Sequence, residues 1–270
     1  MKSLAKAVGW VIFYFLFQFA VLLAVLFVYV RSSDFSSAEL ASQMGTEFIS
    51  DNQLGIYLLI NLLFIAVVRL IFRIRKRPFD DISGKTSPDI SRVIKYSVGV
   101  FSFSAFFYLC TYSMQLEGVA AIERSRNYYS QYFNGLGWIV QVVMLLAVTP
   151  FAEELLNRGL VISELGDKFS NTVKIIISGI IFGFSHGAAG GLPMILGGTV
   201  IGALFAYIYI KTDSLITAAA VHSAANLPDF IYPLFNEYII PYKTVIIICL
   251  LTVFLFSVLS EYVEYRKNIK

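Results

Sequence analysis

Long apolar runs separated by short polar segments dominate the chain. A helix needs about 20 apolar residues to cross roughly 30 Å of hydrocarbon, so windows free of Asp, Glu, Lys and Arg predict membrane spans. These windows are residues 8–30, 52–68, 96–116, 127–152, 175–210, 214–228 and 244–260. The window 175–210 is long enough for two helices, and the GAAGGLP stretch at 187–193 is expected to separate them. The pattern therefore predicts eight helices.

Composition agrees with a membrane location. Of 270 residues, 57% are hydrophobic and 14% are charged, and the mean hydropathy is +0.73, which is too apolar for a soluble domain of this length. The first apolar run is 23 residues long with no cleavage site after it, so we read it as a retained anchor and not as a signal peptide. We predict an all-α, polytopic membrane helix bundle of about eight transmembrane helices.

Lysine and arginine indicate the orientation, because they are retained on the cytoplasmic side. With both termini cytoplasmic, 15 of these residues lie in cytoplasmic segments, and 4 lie in external ones, namely Arg31, Arg124, Arg126 and Lys243. The basic loop 73–95 is then a positive anchor beside anionic membrane lipid and not a nucleic-acid site.

Two adjacent glutamates interrupt the apolar stretch TPFAEELLNR at 149–158. An ionisable side chain inside a bilayer is costly unless it is paired, hydrated or protonated, so it indicates a function. Glu154 and Arg158 are four residues apart on one helical face, and we expect them to form an ion pair. Glu153 points about 100° away from Glu154 and is left for chemistry. The structural alternative is an ion pair that only holds helices in register.

Both histidines of the chain lie in apolar windows, His186 in FGFSH and His222 in HSAAN. At about 1.5 Å per residue, the histidines, Glu153 and Asn226 all lie roughly 12–22 Å from the cytoplasmic helix ends, so they could share one layer. His222 and Asn226 are four apart and face the same way, and Phe182 lies one turn before His186 to pack on its ring.

Proline and glycine near these residues predict irregular or close helix packing. Pro150 frees a backbone carbonyl one turn before Glu153, and such irregular backbone needs cover from protein or water. Gly198 and Gly202 form a GxxxG, for which close packing between helices is the favoured interpretation.

Three motifs now stand in order on successive predicted helices: EELLNR, FGFSH and HSAAN. They resemble the EExxxR, FxxxH and HxxxN motifs of the CAAX protease and bacteriocin-processing family, also called the Abi family, which includes the type II CAAX prenyl endopeptidases. One such motif is weak evidence, whereas three in order that use both histidines are specific. The resemblance covers about residues 149–226.

The resemblance implies an intramembrane endopeptidase. It implies that Glu153 is the general base, that His186 positions or polarises the water, and that His222 with Asn226 stabilises the oxyanion. The implied supporting residues are Glu154, Arg158 and Phe182. The chain would then divide into an N-terminal part of three helices with the basic loop (1–126), a catalytic core (127–230), and a C-terminal helix with a basic tail (231–270).

A metal ion is left open by the sequence. Glu153, His186 and His222 could supply the carboxylate and two imidazoles of a zinc site, and members of the family are often described as metalloproteases. No HExxH is present to place two histidine ligands on one helix, so the ligands would come from three helices. A metal-free glutamate mechanism needs the same residues. We favour that mechanism, in which no cofactor is required.

The expected substrate is a hydrophobic, lipidated or leader-type peptide that enters a site walled by apolar helices. The expected location is a bacterial plasma membrane, and the sequence does not indicate an oligomeric state. The alternative is a non-proteolytic membrane scaffold or bacteriocin-immunity protein, in which the polar cluster only stabilises the bundle. A transporter would also bury carboxylates and histidines, but the sequence has no inverted repeat that pairs two broken helices.

Overall fold

The structure is a computed structural model that describes residues 2–33, 35–113 and 136–267, and within these ranges it is helical throughout without a β-strand. The predicted boundary at 126/127 and the external residues Arg124 and Arg126 lie outside the described residues. The three-part division of the chain stays a prediction.

Eleven α-helices make up the described parts of the chain. They are α1 (Lys2–Ser32), α2 (Ala38–Asp51), α3 (Gln53–Ile74), α4 (Asp80–Ser83), α5 (Ile90–Ser113), α6 (Leu136–Val143), α7 (Thr149–Glu154), α8 (Ser163–Leu165), α9 (Asn171–Thr212), α10 (Leu215–Ile239) and α11 (Lys243–Lys267). The π-helices Met144–Val148 and Leu155–Ile162 join α6, α7 and α8 into one continuous run, here named the glutamate helix (residues 136–165). Short 3-10 turns follow at Gly166–Lys168 and Ile240–Tyr242.

Six helical stretches of the described chain are long and apolar enough to cross a membrane. They are Lys2–Ser32, Gln53–Ile74, Ile90–Thr111, Gly137–Lys168, Gly191–Thr212 and Ile240–Lys267. The all-helical, multi-pass architecture is confirmed. The total of eight spans, which also counts the first half of α9 and α10, stays a prediction, as does the cytoplasmic position of both termini.

Helix α9 turns back on itself near Gly191, which has a φ of +63°. On the two sides of this turn Gly183 lies against Thr199 and Gly179 against Ala203, so the two halves run in opposite directions. A side chain at Gly183 would overlap the Thr199 hydroxyl and the Ile195 carbonyl. The separation of two helices within 187–193 is therefore confirmed.

The GxxxG glycines pack the two halves of α9 together. A Cβ on Gly198 would lie 3.0 Å from the Gly183 Cα, and one on Gly202 would lie 2.7 Å from the Phe182 Cβ. Such contacts leave no space for a side chain, so the close packing predicted for this pair is confirmed. The packing brings Phe182 and the following turn of α9 against the second half of the same helix.

The main buried cluster surrounds the glutamate helix with α1, α3, α9 and α10. Tyr14 and Phe64 from the first two of these pack with Leu155, Leu156 and other apolar residues of the glutamate helix. A hydrogen-bonded chain reinforces this packing: the Tyr14 hydroxyl donates to Asn61 Oδ1 at 3.0 Å, and Asn61 Nδ2 donates to Thr149 Oγ1 at 3.2 Å. The N-terminal helices therefore hold the glutamate helix one turn before Glu153.

A second polar network joins α5, α9 and α11 at the end that carries the basic residues. Glu261 of α11 pairs with Lys95 of α5 at 2.9 Å and with Lys211 of α9, and it accepts a hydrogen bond from the Tyr207 hydroxyl at 2.7 Å. Lys95 also pairs with Glu264 at 2.6 Å. Although α11 has no buried residue, partly buried Ile246, Ile247 and Leu250 also pack it against α5, so polar and apolar contacts both link α11 to the bundle.

We expect Gly183→Ala to lower the free energy of unfolding by about 1–3 kcal/mol, since the added methyl group meets backbone and Thr199 across the α9 turn. The matched control is Gly55→Ala in α3, where nothing lies within 4 Å of the new Cβ. That change should be neutral or slightly stabilising, because alanine favours the helix over glycine. Thermal unfolding in detergent measures both. Equal stability of the two variants would contradict the packing described for α9.

Candidate active site

The ion pair expected between Glu154 and Arg158 is present and completely buried. Arg158 Nη1 lies 3.0 Å from Glu154 Oε1, and neither side chain is exposed. Arg158 Nη2 also donates to the Gly202 carbonyl at 2.6 Å, and the guanidinium carbon lies 4.9 Å from the centre of the Phe182 ring. The charge-assisted bonds and the cation–π contact offset the cost of removing both charges from water.

His222 of α10 is the second partner of Glu154. Its Nδ1 lies 2.9 Å from Glu154 Oε1, and its Nε2 lies 3.7 Å from Glu153 Oε2. An ionised carboxylate only accepts hydrogen bonds, so this contact assigns a proton to Nδ1. The ring stacks on Phe205, with 4.4 Å between centroids and an interplanar angle of 23°. Glu154 therefore orients a histidine as well as neutralising Arg158.

His186 reaches Glu153 from the first half of α9. Its Nδ1 lies 2.8 Å from the Phe182 carbonyl oxygen, which only accepts, so this nitrogen also carries a proton. Its Nε2 faces Glu153 Oε2 at 4.0 Å. The Phe182 ring lies 4.4 Å from the His186 ring and 5.5 Å from the His222 ring, so one aromatic side chain packs on both histidines.

Glu153 is the point on which the two histidines converge. Its Oε2 atom lies 3.7 Å from one Nε2 and 4.0 Å from the other. These distances exceed those of direct hydrogen bonds, which are about 2.7–3.2 Å, so both imidazoles approach the carboxylate without bonding to it directly. The Glu153 side chain is 22% exposed, whereas that of Glu154 is not exposed at all. Neighbouring glutamates therefore have different surroundings, one accessible and one sealed.

Pro150 explains how Asn226 and Ser223 are positioned. In the π-helix Met144–Val148 the Thr149 N–H donates to the Met144 carbonyl. The N–H of residue 150 would be the next donor, either to the Leu145 carbonyl in a π-helical bond or to the Leu146 carbonyl in an α-helical bond. Proline has no N–H. Asn226 Nδ2 instead donates to Leu145 O at 3.0 Å, and Ser223 Oγ donates to Leu146 O at 2.7 Å. The freed carbonyls thereby hold α10 against the glutamate helix.

Both histidines and Asn226 line a cavity of about 160 Å³ between α5, α9 and α10. Phe103, Ser104, Phe107 and Tyr108 of α5 form much of its opposite wall, and Ser104 donates to the Ala225 carbonyl at 2.7 Å. Glu153 is not part of this wall; its carboxylate contacts the two imidazoles that are.

Several residues of the site were not anticipated from the sequence. Phe205 stacks on His222, and Asn157 donates to the Glu153 carbonyl at 2.8 Å. Tyr14 and Asn61 support the glutamate helix from α1 and α3. Asn61 is a polar residue within the apolar window 52–68, and this alone could have indicated a buried hydrogen-bonding role. Nothing in the sequence singled out Phe205, because the chain has 24 phenylalanines and most lie in apolar windows.

The three side chains considered as zinc ligands lie farther apart than the donor atoms around a bound zinc ion, and the metal stays an untested alternative. Zinc bonds to nitrogen and oxygen at about 2.0–2.2 Å with tetrahedral angles, which puts neighbouring donors roughly 3.3 Å apart. The Glu153 oxygen is 3.7 and 4.0 Å from the histidine nitrogens, and no group of three His, Cys, Asp or Glu residues in the described ranges is arranged to hold an ion. We therefore derive no step through a metal.

Arg158→Met is expected to destabilise the protein by about 3–5 kcal/mol, because it leaves the Glu154 charge buried with less compensation. The double variant Glu154→Gln/Arg158→Met should be less destabilised than the sum of the two single changes. Arg77→Met is the control, since the Arg77–Asp81 pair is exposed and worth about 1 kcal/mol at most. Unfolding in detergent measures all four variants, and additive effects at 154 and 158 would contradict the pairing.

A comparison with protein-family models matches residues 135–228 to the model described as type II CAAX prenyl endopeptidase Rce1-like. No curated protein matches the chain, and no solved structure does. The matched segment contains both adjacent glutamates, Arg158 and both histidines, and it agrees with the resemblance found through the three motifs. Residues 135–228 therefore match an Rce1-like domain, and this match is consistent with the CAAX protease and bacteriocin-processing family.

Proposed function

We propose that this chain is an intramembrane endopeptidase that hydrolyses a peptide bond by a metal-free glutamate mechanism. The Rce1-like domain supports a CAAX-type intramembrane protease in general. The observation that carries the specific proposal is the convergence of two histidine Nε2 atoms on one partly exposed glutamate oxygen, at 3.7 and 4.0 Å. A buried ion pair alone would not need an accessible second glutamate between two imidazoles.

In the first step Glu153 acts as general base. A water molecule between its Oε2 and the His186 Nε2 loses a proton to the carboxylate while its oxygen attacks the carbonyl carbon. The proton on His186 Nδ1 is held by the Phe182 carbonyl, so the lone pair of Nε2 is free to accept a hydrogen bond from the water. General base catalysis of this kind contributes about 10²- to 10⁴-fold.

In the second step His222 and Asn226 stabilise the oxyanion. The bond to Glu154 keeps a proton on His222 Nδ1, and a second proton on Nε2 would make this histidine a cationic donor between two carboxylates. Asn226 uses one amide N–H on the Leu145 carbonyl and has a second N–H to donate. Glu153 then returns its proton to the leaving nitrogen as the carbon–nitrogen bond breaks.

The proposed substrate is a hydrophobic, lipidated or leader-type peptide that enters from the membrane. In support, the cavity wall is largely aromatic and aliphatic, and the exposed faces of the candidate spans are apolar. Such surroundings favour a peptide that partitions into lipid over a soluble protein. We also propose a bacterial plasma membrane as the location.

Glu153→Gln should lower kcat for cleavage by at least about 100-fold, because the amide cannot take a proton from water. His186→Ala should lower kcat by a similar factor, because it removes the imidazole nitrogen that accepts a hydrogen bond from the attacking water. Cleavage of hydrophobic peptides in detergent, read by mass spectrometry, measures the effect, and size exclusion shows whether each variant is folded. Asp167→Asn, at an exposed acid in the 3-10 turn that follows the glutamate helix, should cleave like the wild type.

Folded Glu153→Gln and His186→Ala variants that keep the cellular function would overturn the protease proposal. That result would favour the membrane scaffold or bacteriocin-immunity protein, in which the cluster only stabilises the bundle. Loss of function only in unfolded variants would point the same way.

The metal-free mechanism predicts that cleavage survives metal removal. Protein should be treated with a strong chelator, its residual metal content measured, and its cleavage rate compared with that of untreated protein. We expect the rate to stay within about twofold, since the proton transfers above use side chains alone. A loss of activity that only added zinc restores would replace the glutamate mechanism with a metal-dependent one that uses Glu153, His186 and His222.

A further inference from the structure

Asp229 adds a carboxylate to the cavity that the proposed reaction does not use. It lies on α10 three residues after Asn226 and seven after His222, which puts all three on one face of the helix, and it lines the cavity together with both histidines. The residue is exposed, and within the described ranges its side chain has no hydrogen bond or ion pair.

The charge of Asp229 is not balanced by the cavity itself. The other lining residues are aromatic, aliphatic, small or amide side chains, apart from the two histidines that face Glu153. Arg158, the nearest strong cation of the catalytic cluster, is used by Glu154. Asp229 lies one residue beyond the apolar window 214–228 and borders the largely apolar cavity, so a cation that arrives with the substrate would be its partner there.

Another cavity, of about 390 Å³ between α5, α9 and α11, contains charged residues that are already paired. Its charged residues Lys95 and Glu261 pair with each other, and Lys211 pairs with the same glutamate. The charges there are already matched, so they do not indicate a charged ligand. Among the described residues that line the smaller cavity, Asp229 is the charged group without a partner.

The position of Asp229 on α10 indicates how far from the scissile bond a positively charged substrate residue would lie. Seven helical residues separate it from His222, which is about 10 Å along the axis of α10. An extended peptide covers about 3.3–3.6 Å per residue, so this distance corresponds to about three substrate residues. The length of a lysine or arginine side chain widens the range to about two to four residues.

We propose that Asp229 is a specificity-determining residue that selects peptides with a lysine or arginine about two to four residues from the scissile bond. The proposal rests on the protease function and adds a charge requirement to a hydrophobic substrate. A peptide that is apolar throughout would leave the carboxylate unpaired and would be cleaved more slowly. A polar group in a binding site that is left unpaired by the wrong substrate gives selectivity in other sites in the same way.

The test uses the full-length protein in detergent and synthetic peptides. A hydrophobic peptide cleaved by the wild type is first found in a mixed library, and its cleavage site is identified by mass spectrometry. A series is then made in which one lysine, or one glutamine as the neutral match, is moved through the four positions on each side of that site. The quantity compared is the ratio of kcat/KM for lysine to that for glutamine at each position.

At one position two to four residues from the cut, the wild type should favour lysine about tenfold, as expected for one charge-assisted contact. Asp229→Asn should bring this ratio close to one, and Asp229→Glu should keep most of it. Asp229→Lys should favour a glutamate-bearing peptide instead. Asp167→Asn, the matched control at an exposed acid outside the cavity, should keep the wild-type ratio.

Two negative results separate the two proposals. If the wild type cleaves peptides but shows no lysine preference, or if Asp229→Asn keeps the preference, the role of Asp229 is wrong and the protease function stands. If the folded wild type cleaves no peptide in the library while Glu153→Gln binds labelled lysine and glutamine peptides equally, both proposals fail.

Discussion

The site is built around one buried carboxylate, that of Glu154. A charge inside the bundle needs fixed partners, and here Arg158 and His222 both bond to Glu154 Oε1, while Oε2 is buried without a hydrogen-bond partner among the described residues. Arg158 also donates to the Gly202 carbonyl of α9. The Glu154–Arg158 pair therefore connects the glutamate helix to α9 through Gly202 and to α10 through His222. That connection fixes His222 beside Glu153, and His186 is placed by its own contacts with Phe182.

The backbone of the glutamate helix has a comparable role. The π-helix Met144–Val148 and Pro150 leave the Leu145 and Leu146 carbonyls to accept from outside the helix, and membrane surroundings offer few other donors. Asn226 and Ser223 of α10 supply those donors. A local defect in one helix is thus the reason that the neighbouring helix docks in a single register, with His222 one turn from Asn226 and next to both glutamates.

Glycine and aromatic residues complete the arrangement by controlling distance. Gly183, Gly198 and Gly202 allow the two halves of α9 to touch, which places Phe182 against the second half. Phe182 and Phe205 then pack on the histidine rings and on the Arg158 guanidinium. These apolar walls keep water away from the pair at Glu154 and limit it to the accessible side at Glu153, so the two adjacent glutamates differ in environment.

Periodicity and chemistry alone determined the all-helical membrane architecture, the Glu154–Arg158 pair and the turn within 187–193, because each depends on local spacing or on the cost of charge in lipid. The motifs also indicated the family. The sharing of Glu154 by His222, the bonds of Asn226 and Ser223 to freed carbonyls, the stacking of Phe205 and the support from Tyr14 and Asn61 were decided only by tertiary structure. These contacts join residues up to about 88 positions apart, and no local pattern specifies which distant partner a buried polar group will meet.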